Sequence, residues 1–207
     1  MDIDPKTRTL DETYKLITGM IVPRPVAWIT SLSSNGTVNL APFSAYGLVT
    51  HSPPMLMVTV GKRGGERKDT GRNIVNRREF VVNVARYDDA TTLHGSSADL
   101  AYGESEVGHL GLDTTPSSVV AVPRLARSAA AMECRLREKL EYPDVDSIIL
   151  LSEVVSFYVD DDLLRGGKID TPRLDPLARI GGPNYAGLGR FIGLAPPTPQ
   201  PSRENTP

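Results

Sequence analysis

Short β-forming runs, broken at close intervals by turn residues, constrain this chain more than any other feature. From Val26 to Leu32 it reads Val-Ala-Trp-Ile-Thr-Ser-Leu, and aromatic and β-branched residues of this kind suit a pleated, half-buried surface. Asn35-Gly36 follows, two residues that tolerate the positive φ a tight hairpin turn demands. Thr37 to Leu40 is then the returning strand. Ser44 to Thr50 and Met55 to Val60 are two more, separated by Ser52-Pro53-Pro54. Glu79 to Ala85 carries Phe80, Val81, Val82 and Val84 and suits a core position. Met132, Cys134 and Leu136 alternate with Glu133, Arg135 and Arg137, the pattern of a strand half open to solvent. Ser147 to Val159 is a long apolar strand that must bend or twist. Many short strands with few helical stretches favour an antiparallel barrel over a parallel sheet.

Helical signals are sparse. One turn is expected around Asp11 to Thr18. Asp69 or Thr70 can cap a helix reaching about Arg77, with Ile74 and Val75 facing inward. Glycines 61, 64 and 65 mark a mobile loop before it, and residues 87–118 read as glycine-rich and partly helical. The segment from Pro196 to Pro207 is proline-rich and polar, so disorder is expected there. The chain therefore divides into one domain over residues 1–195 and a tail over 196–207.

Composition narrows the function classes. The formal net charge is −2 over 207 residues, which argues against the broad positive surface that bulk nucleic-acid binding needs but leaves room for a local basic pocket. One cysteine, Cys134, allows no internal disulfide; by alternation it faces the core. The first ten residues lack an apolar signal region, and no apolar run approaches the ~20 residues a membrane span requires. A cytoplasmic protein without membrane attachment is expected. His51, His94 and His109 are too scattered for a metal site. Glu104 and Glu106 read as solvated loop carboxylates.

Three strings carry possible chemistry. In residues 23–32, Pro-Arg-Pro-Val-Ala-Trp-Ile-Thr-Ser-Leu, alternation puts Trp28 and Thr30 on one face and Ile29 and Ser31 on the other. The hydroxyls at the strand end could meet an anion, or simply form its wet end. In residues 39–45, Asn-Leu-Ala-Pro-Phe-Ser-Ala, proline has no amide hydrogen, so Ala41-Pro42 interrupts the ladder; the break either admits a flat polar ring or is a strand corner. Residues 61–78 hold seven basic side chains (Lys62, Arg63, Arg67, Lys68, Arg72, Arg77, Arg78) against Glu66 and Asp69. A helix starting inside that cluster offers unpaired amides and a positive dipole end to a phosphate, or the cluster is a solvated basic loop. Late in the chain, the glycines and proline of Arg179-Ile180-Gly181-Gly182-Pro183-Asn184-Tyr185 position Tyr185 either to close a site or to serve as a core tyrosine.

The order of these strings, continued by Pro-Pro-Met-Leu-Met-Val, Lys-Asp-Thr-Gly-Arg-Asn-Ile and Glu-Phe-Val-Val-Asn-Val, resembles the flavin-reductase-like, flavoredoxin-type family of FMN-binding split barrels. The resemblance covers roughly residues 10 to 195. It implies a mainly β fold, a six-stranded antiparallel split barrel with added helices, and FMN at the interface of a homodimer. The segment from Trp28 through Thr30 and Ser31 to Leu32, and that from Lys68, Asp69 and Thr70 to Asn73, would hold the phosphate and ribityl chain. Asn39, Ala41, Pro42, Phe43, Ser44 and Ala45 would line the ring, with Tyr185 nearby. Asp69 is better read as a helix cap or an acceptor for a ribityl hydroxyl than as a phosphate ligand. The implied activity is a flavin-dependent oxidoreductase of the NAD(P)H:FMN reductase type, with NADH or NADPH as donor and a monooxygenase or redox protein as possible partner. The alternative is an FMN-binding electron carrier without nicotinamide activity. A GxGxxG motif following a strand is missing, so the nicotinamide would stack directly on the flavin.

Overall fold

The computed structural model describes residues 1–194 except 64, 102 and 143. The tail expected to be disordered, and Gly64 of the expected glycine loop, lie outside the described residues. Seven strands form the main sheet: β1 (Ala27–Leu32), β2 (Val38–Phe43), β3 (Tyr46–His51), β4 (Pro54–Arg63), β5 (Glu79–Val84), β6 (Ala130–Glu141) and β7 (Ser147–Val159). Their spatial order is β2-β1-β5-β6-β7-β4-β3, every pairing is antiparallel, and the short strand Glu66–Arg67 folds back on β4. The helices are α1 (Leu10–Met20), α2 (Asp69–Arg77), α3 (Ala90–Gly95), α4 (Glu106–His109) and a single turn at Thr171–Leu174. The mainly β, antiparallel architecture with added helices agrees with the sequence reading.

Alternation along the strands builds two cores on opposite faces of the sheet. Ala27, Ile29, Val58, Val60, Phe80, Val82, Cys134, Leu136, Ile148 and Leu150 point inward into one cluster. Cys134 is buried there, and burial pushes its thiol pKa up, so it packs rather than reacts. Trp28 and Leu40 point outward into a second cluster with Leu93 of α3, Val107 of α4, Leu125 and Leu177. The long β6–β7 hairpin bends through two register shifts, between Glu133 and Cys134 and between Leu136 and Glu138.

Several local expectations change. The N-terminal helix runs three turns because Thr9 and Glu12 form a reciprocal capping box. Strand β2 continues through Pro42 to Phe43, with Pro42 opposite Trp28. Proline is tolerated because β2 ends the sheet order, where its missing amide costs no ladder bond. Neither Asp69 nor Thr70 caps α2: Lys68 occupies the N-cap position without a capping side-chain bond. Asp69 instead sits in the first turn, where its charge complements the dipole. Gly71 lets α2 pack closely on β4, since a Cβ there would meet Val60 Cγ1 at 3.1 Å and push it by a few tenths of an ångström. Glu133 is not on a solvated face. It is buried and accepts from the amides of Ser118, Val119 and Val120 at 2.7, 2.6 and 3.0 Å, so it pins the connection leading into β6.

Candidate functional site

Two adjoining clefts open beside β2 and the start of α2. The first, about 290 Å³, is lined by Asn39, Ala41, Pro42 and Phe43 of β2, by the run from Glu66 to Thr70 with Arg72, by residues 96–98 and Leu100, and by Glu106. The second, about 340 Å³, is lined by Tyr14, Val26, Pro42 to Ala45, Thr59, Gly61, Lys68, His94, Ser97, Arg179 and Tyr185. Pro42, Phe43, Lys68 and Ser97 border both, so the two clefts share one wall.

Of the residues singled out in the sequence, Asn39, Ala41, Pro42, Phe43, Ser44, Ala45, Lys68, Asp69, Thr70 and Tyr185 line these clefts. Trp28, Thr30, Ser31, Leu32 and Asn73 do not; Trp28, Ser31 and Asn73 support lining residues from behind, whereas Thr30 and Leu32 face away. Trp28 Nε1 donates to Ser96 Oγ at 2.9 Å, tying the end of α3 to β1. Thr30 Oγ1 donates to the Pro123 carbonyl at 2.7 Å. Leu32 packs with Val81 and Val120 on the outer face. Ser31 and Asn73 belong to a buried polar network under the first cleft.

That network centres on Asn39, which is 6% exposed. Asn39 Nδ2 donates to Glu106 Oε1 and Oε2 at 3.0 and 2.9 Å, and the Leu40 amide donates to Oε2 at 2.8 Å. Thr70 Oγ1 and Ser31 Oγ donate to Asn39 Oδ1 at 2.8 and 3.1 Å, and Asn73 Nδ2 donates to Ser31 Oγ at 3.1 Å. Glu106, expected as a solvated loop residue, is therefore a buried partner of the site at 8% exposure. Ser105, whose hydroxyl caps α4 and also donates to the Val38 carbonyl at 2.5 Å, holds it there. Burial raises the Glu106 pKa, with nearby Asp69 adding to the rise, while donation from Leu40 and Asn39 opposes it. No sequence spacing links positions 39 and 106; the only signal was the capping pattern Ser105 before Glu106.

Charge is concentrated at the rim. Arg67 makes a two-pronged contact with Glu141 of β6 at 2.8 and 2.9 Å, and Arg72 lies 3.5 Å from Glu66 and 3.9 Å from Asp69. In α2 the first amides have no intrahelical partner, and no side chain caps them at Lys68. The floor of the cleft is thus rich in acceptors and its rim in cations. In the second cleft, the Arg179 guanidinium lies over the Tyr185 ring, 4.5 Å from its centroid, and donates to the Tyr185 hydroxyl. His94 Nδ1 lies 3.3 Å from that hydroxyl, with the two rings edge-on. Strand Ala178–Arg179 pairs with Arg24–Pro25 and with Tyr185–Ala186, which brings this late segment against the entrance to β1. Among the described residues no group of His, Cys, Asp and Glu is arranged to hold a metal ion.

Comparison with known proteins is consistent with this geometry. The family model described as flavin reductase like domain matches residues 19–177. An uncharacterized protein of Halalkalibacterium halodurans is 38% identical, covering 99% of this chain and 100% of that one. Among solved structures, nitrilotriacetate monooxygenase component B from Bacillus cereus is 36% identical with a TM-score of 0.90, covering 94% of this chain and 98% of its own. The 2-nitrobenzoate 2-nitroreductase of Pseudomonas fluorescens is 33% identical with a TM-score of 0.86, covering 98% and 100%.

Proposed function

Since the chain belongs to the flavin reductase like family, we propose that it is an NAD(P)H-dependent reductase that holds FMN across the two clefts. The observation that carries this reading is the shared wall: two adjoining clefts, the first with the Asn39–Thr70–Glu106 network on its floor and Arg67, Lys68 and Arg72 in its lining, the second lined by Pro42 to Ala45 and Tyr185. The donor set fits the three parts of such a ligand. Lys68 and the uncapped amides of α2 suit a phosphate. Asp69 and the Asn39–Thr70–Glu106 floor suit a polyol. Pro42 to Ala45 with Tyr185 suit a planar ring.

When bound, the flavin held by Lys68, the Asn39–Thr70 floor and the Pro42–Ala45 run would supply the redox chemistry, as acceptor of a hydride from NADH or NADPH. The protein binds, orients and shields, and it needs no nucleophile of its own. The nicotinamide reaches the open side of the second cleft, near Tyr14, His94 and Tyr185. The relatives named for a monooxygenase component and a nitroreductase support two outlets for the electrons, a partner monooxygenase or a nitroaromatic acceptor. We place the protein in the cytoplasm; among the described residues no helix is long and apolar enough to cross a membrane.

A homodimer belongs to the same proposal. Strand β3 ends the sheet order, and Leu48 and Val49 on it are exposed, as are Met57 on the adjoining β4 and Tyr14 and Ile17 on α1. An exposed apolar strand edge invites pairing with a second copy. Light scattering at micromolar concentration is expected to return twice the 22.4 kDa chain mass.

The decisive measurement is the visible spectrum of the purified protein, with the released flavin identified, followed by anaerobic mixing with NADH or NADPH. Yellow protein that releases FMN and bleaches with either nucleotide is expected. Protein that bleaches only with a reduced protein partner is an electron carrier instead.

A further inference from the structure

We propose that Glu106 is a positioning residue that fixes the hydrogen-bond polarity of the first cleft's floor, so that Thr70 faces the ligand as an acceptor and seats its sugar-alcohol chain rather than its phosphate. The inference rests on the flavin reading above and adds to it a role for a residue that the ligand need not touch.

An ionised carboxylate only accepts, and Glu106 accepts from Asn39 Nδ2 and from the Leu40 amide. The Asn39 amide is therefore not free to turn over: its nitrogen must face Glu106, and its oxygen must face Thr70 and Ser31. The reverse orientation would set an amide oxygen against the carboxylate. With Asn39 Oδ1 so fixed, the single proton of the Thr70 hydroxyl is committed to it at 2.8 Å. What Thr70 has left for the cleft is acceptor capacity alone. Ser31 commits its proton in the same way and takes one from Asn73 Nδ2, so the layer beneath is closed.

A phosphate dianion accepts and cannot donate. It is mismatched to a floor made of the Thr70 lone pair with the Asp69 and Glu106 carboxylates nearby. The hydroxyls of a ribityl chain donate, and they match it. The phosphate is left to the cationic rim, at Lys68 and the α2 amides.

Two substitutions and three flavins test this. Lumiflavin has the ring alone, riboflavin adds the polyol, and FMN adds the phosphate. Thr70→Val removes the acceptor at nearly constant volume. Glu106→Gln reverses the relay: the glutamine oxygen keeps the Leu40 amide, its NH₂ faces Asn39, Asn39 turns over and donates to Thr70, and the freed Thr70 proton turns toward the cleft, so that a donor stands where the ligand's hydroxyl had met only an acceptor. Dissociation constants would be measured by flavin fluorescence quenching, with circular dichroism confirming the fold of each variant.

Both variants are expected to weaken riboflavin and FMN by the same factor, roughly threefold to tenfold, the weight of about one hydrogen bond. Lumiflavin affinity stays unchanged. A loss for FMN with none for riboflavin would assign the floor to the phosphate and overturn the proposal. Equal loss for all three flavins, or no change in any, would also overturn it by making Glu106 merely structural. If Glu106→Gln does not fold, Thr70→Val alone decides between these outcomes. Wild-type protein that binds none of the three flavins would instead sink the flavin reading itself.

Discussion

The two clefts share a wall but are built in different ways. The first is knit from below: Asn39, Thr70, Ser31, Asn73 and Glu106 are each under a tenth exposed and bonded to one another. The second is closed from outside, by α1, α3 and the segment around Arg179 and Tyr185, with Tyr14 and His94 exposed. A site of the first kind is pre-organised and couples ligand binding to fold stability. A site of the second kind can be remodelled at little cost to the fold, which suits the side on which the proposed nicotinamide donor, or an electron acceptor, would come and go.

The largest effect that would sharpen this contrast is on stability. Asn39→Ala leaves the Glu106 carboxylate with backbone amides alone and strips Thr70 and Ser31 of their acceptor. Orphaned buried polar groups cost about 1–3 kcal/mol each, more when charged, so a loss of about 3 kcal/mol or more is expected in urea denaturation. A loss under about 1 kcal/mol would remove the distinction between the clefts. Next comes Lys68→Ala, with FMN affinity down about tenfold to a hundredfold, the weight of a charge-assisted hydrogen bond. Riboflavin loses less than FMN if Lys68 meets the phosphate, and isothermal titration with both ligands reads the difference. Tyr185→Phe, on the far side, removes a hydroxyl shared by Arg179 and His94 at a partly exposed site. Stability should shift by no more than about 0.5 kcal/mol, while KM for the nicotinamide donor rises and kcat holds. An unchanged KM would place the donor elsewhere.

The same contrast explains what could be read from the sequence. The strands, the Asn35-Gly36 turn and the inward set around Phe80 follow from alternation and turn chemistry, which are local. Pro42 and Phe43 were legible as a break that is also a wall, though the strand runs on through them because it is an edge, and edge position is set by topology. Lys68 and Asp69 were found by charge density, a property of a short window. Glu106 was missed because its burial comes from contact with Asn39 across 67 positions, and a glutamate in a glycine-rich stretch looks solvated until that contact is known. Trp28 and Thr30 were marked for the right strand, but they face the outer core, and alternation alone does not say which of two buried faces borders a cleft. Arg179 and Tyr185 were visible as a rigid turn, whereas their placement beside β1 comes from a three-strand pairing of distant segments.

Two carboxylates give the smallest effect, and they act in opposite directions with pH. Glu141 is at the surface and held by Lys139 and Arg67, hydrogen bonds that draw its pKa down to about 2. A lowered folded-state pKa means that the unfolded chain binds the proton more readily, so this contribution is present above the ordinary carboxylate range and is lost as pH falls from about 4.5 toward 2. Being exposed, it is also screened by salt. Glu106 runs the other way. Burial raises its pKa, so the folded state takes the proton first, and acidification through that raised value relieves the cost of a buried charge. Stability measured by urea midpoint should therefore rise slightly as pH drops from neutral and then fall in the more acidic range. Glu106→Gln should abolish the rise and leave the fall. Glu141→Gln should shallow the fall at low salt but not at 1 M salt, and leave the rise. A rise that persists in Glu106→Gln would mean that some other group takes up the proton, and the first cleft would lose its claim to a buried, ionised floor.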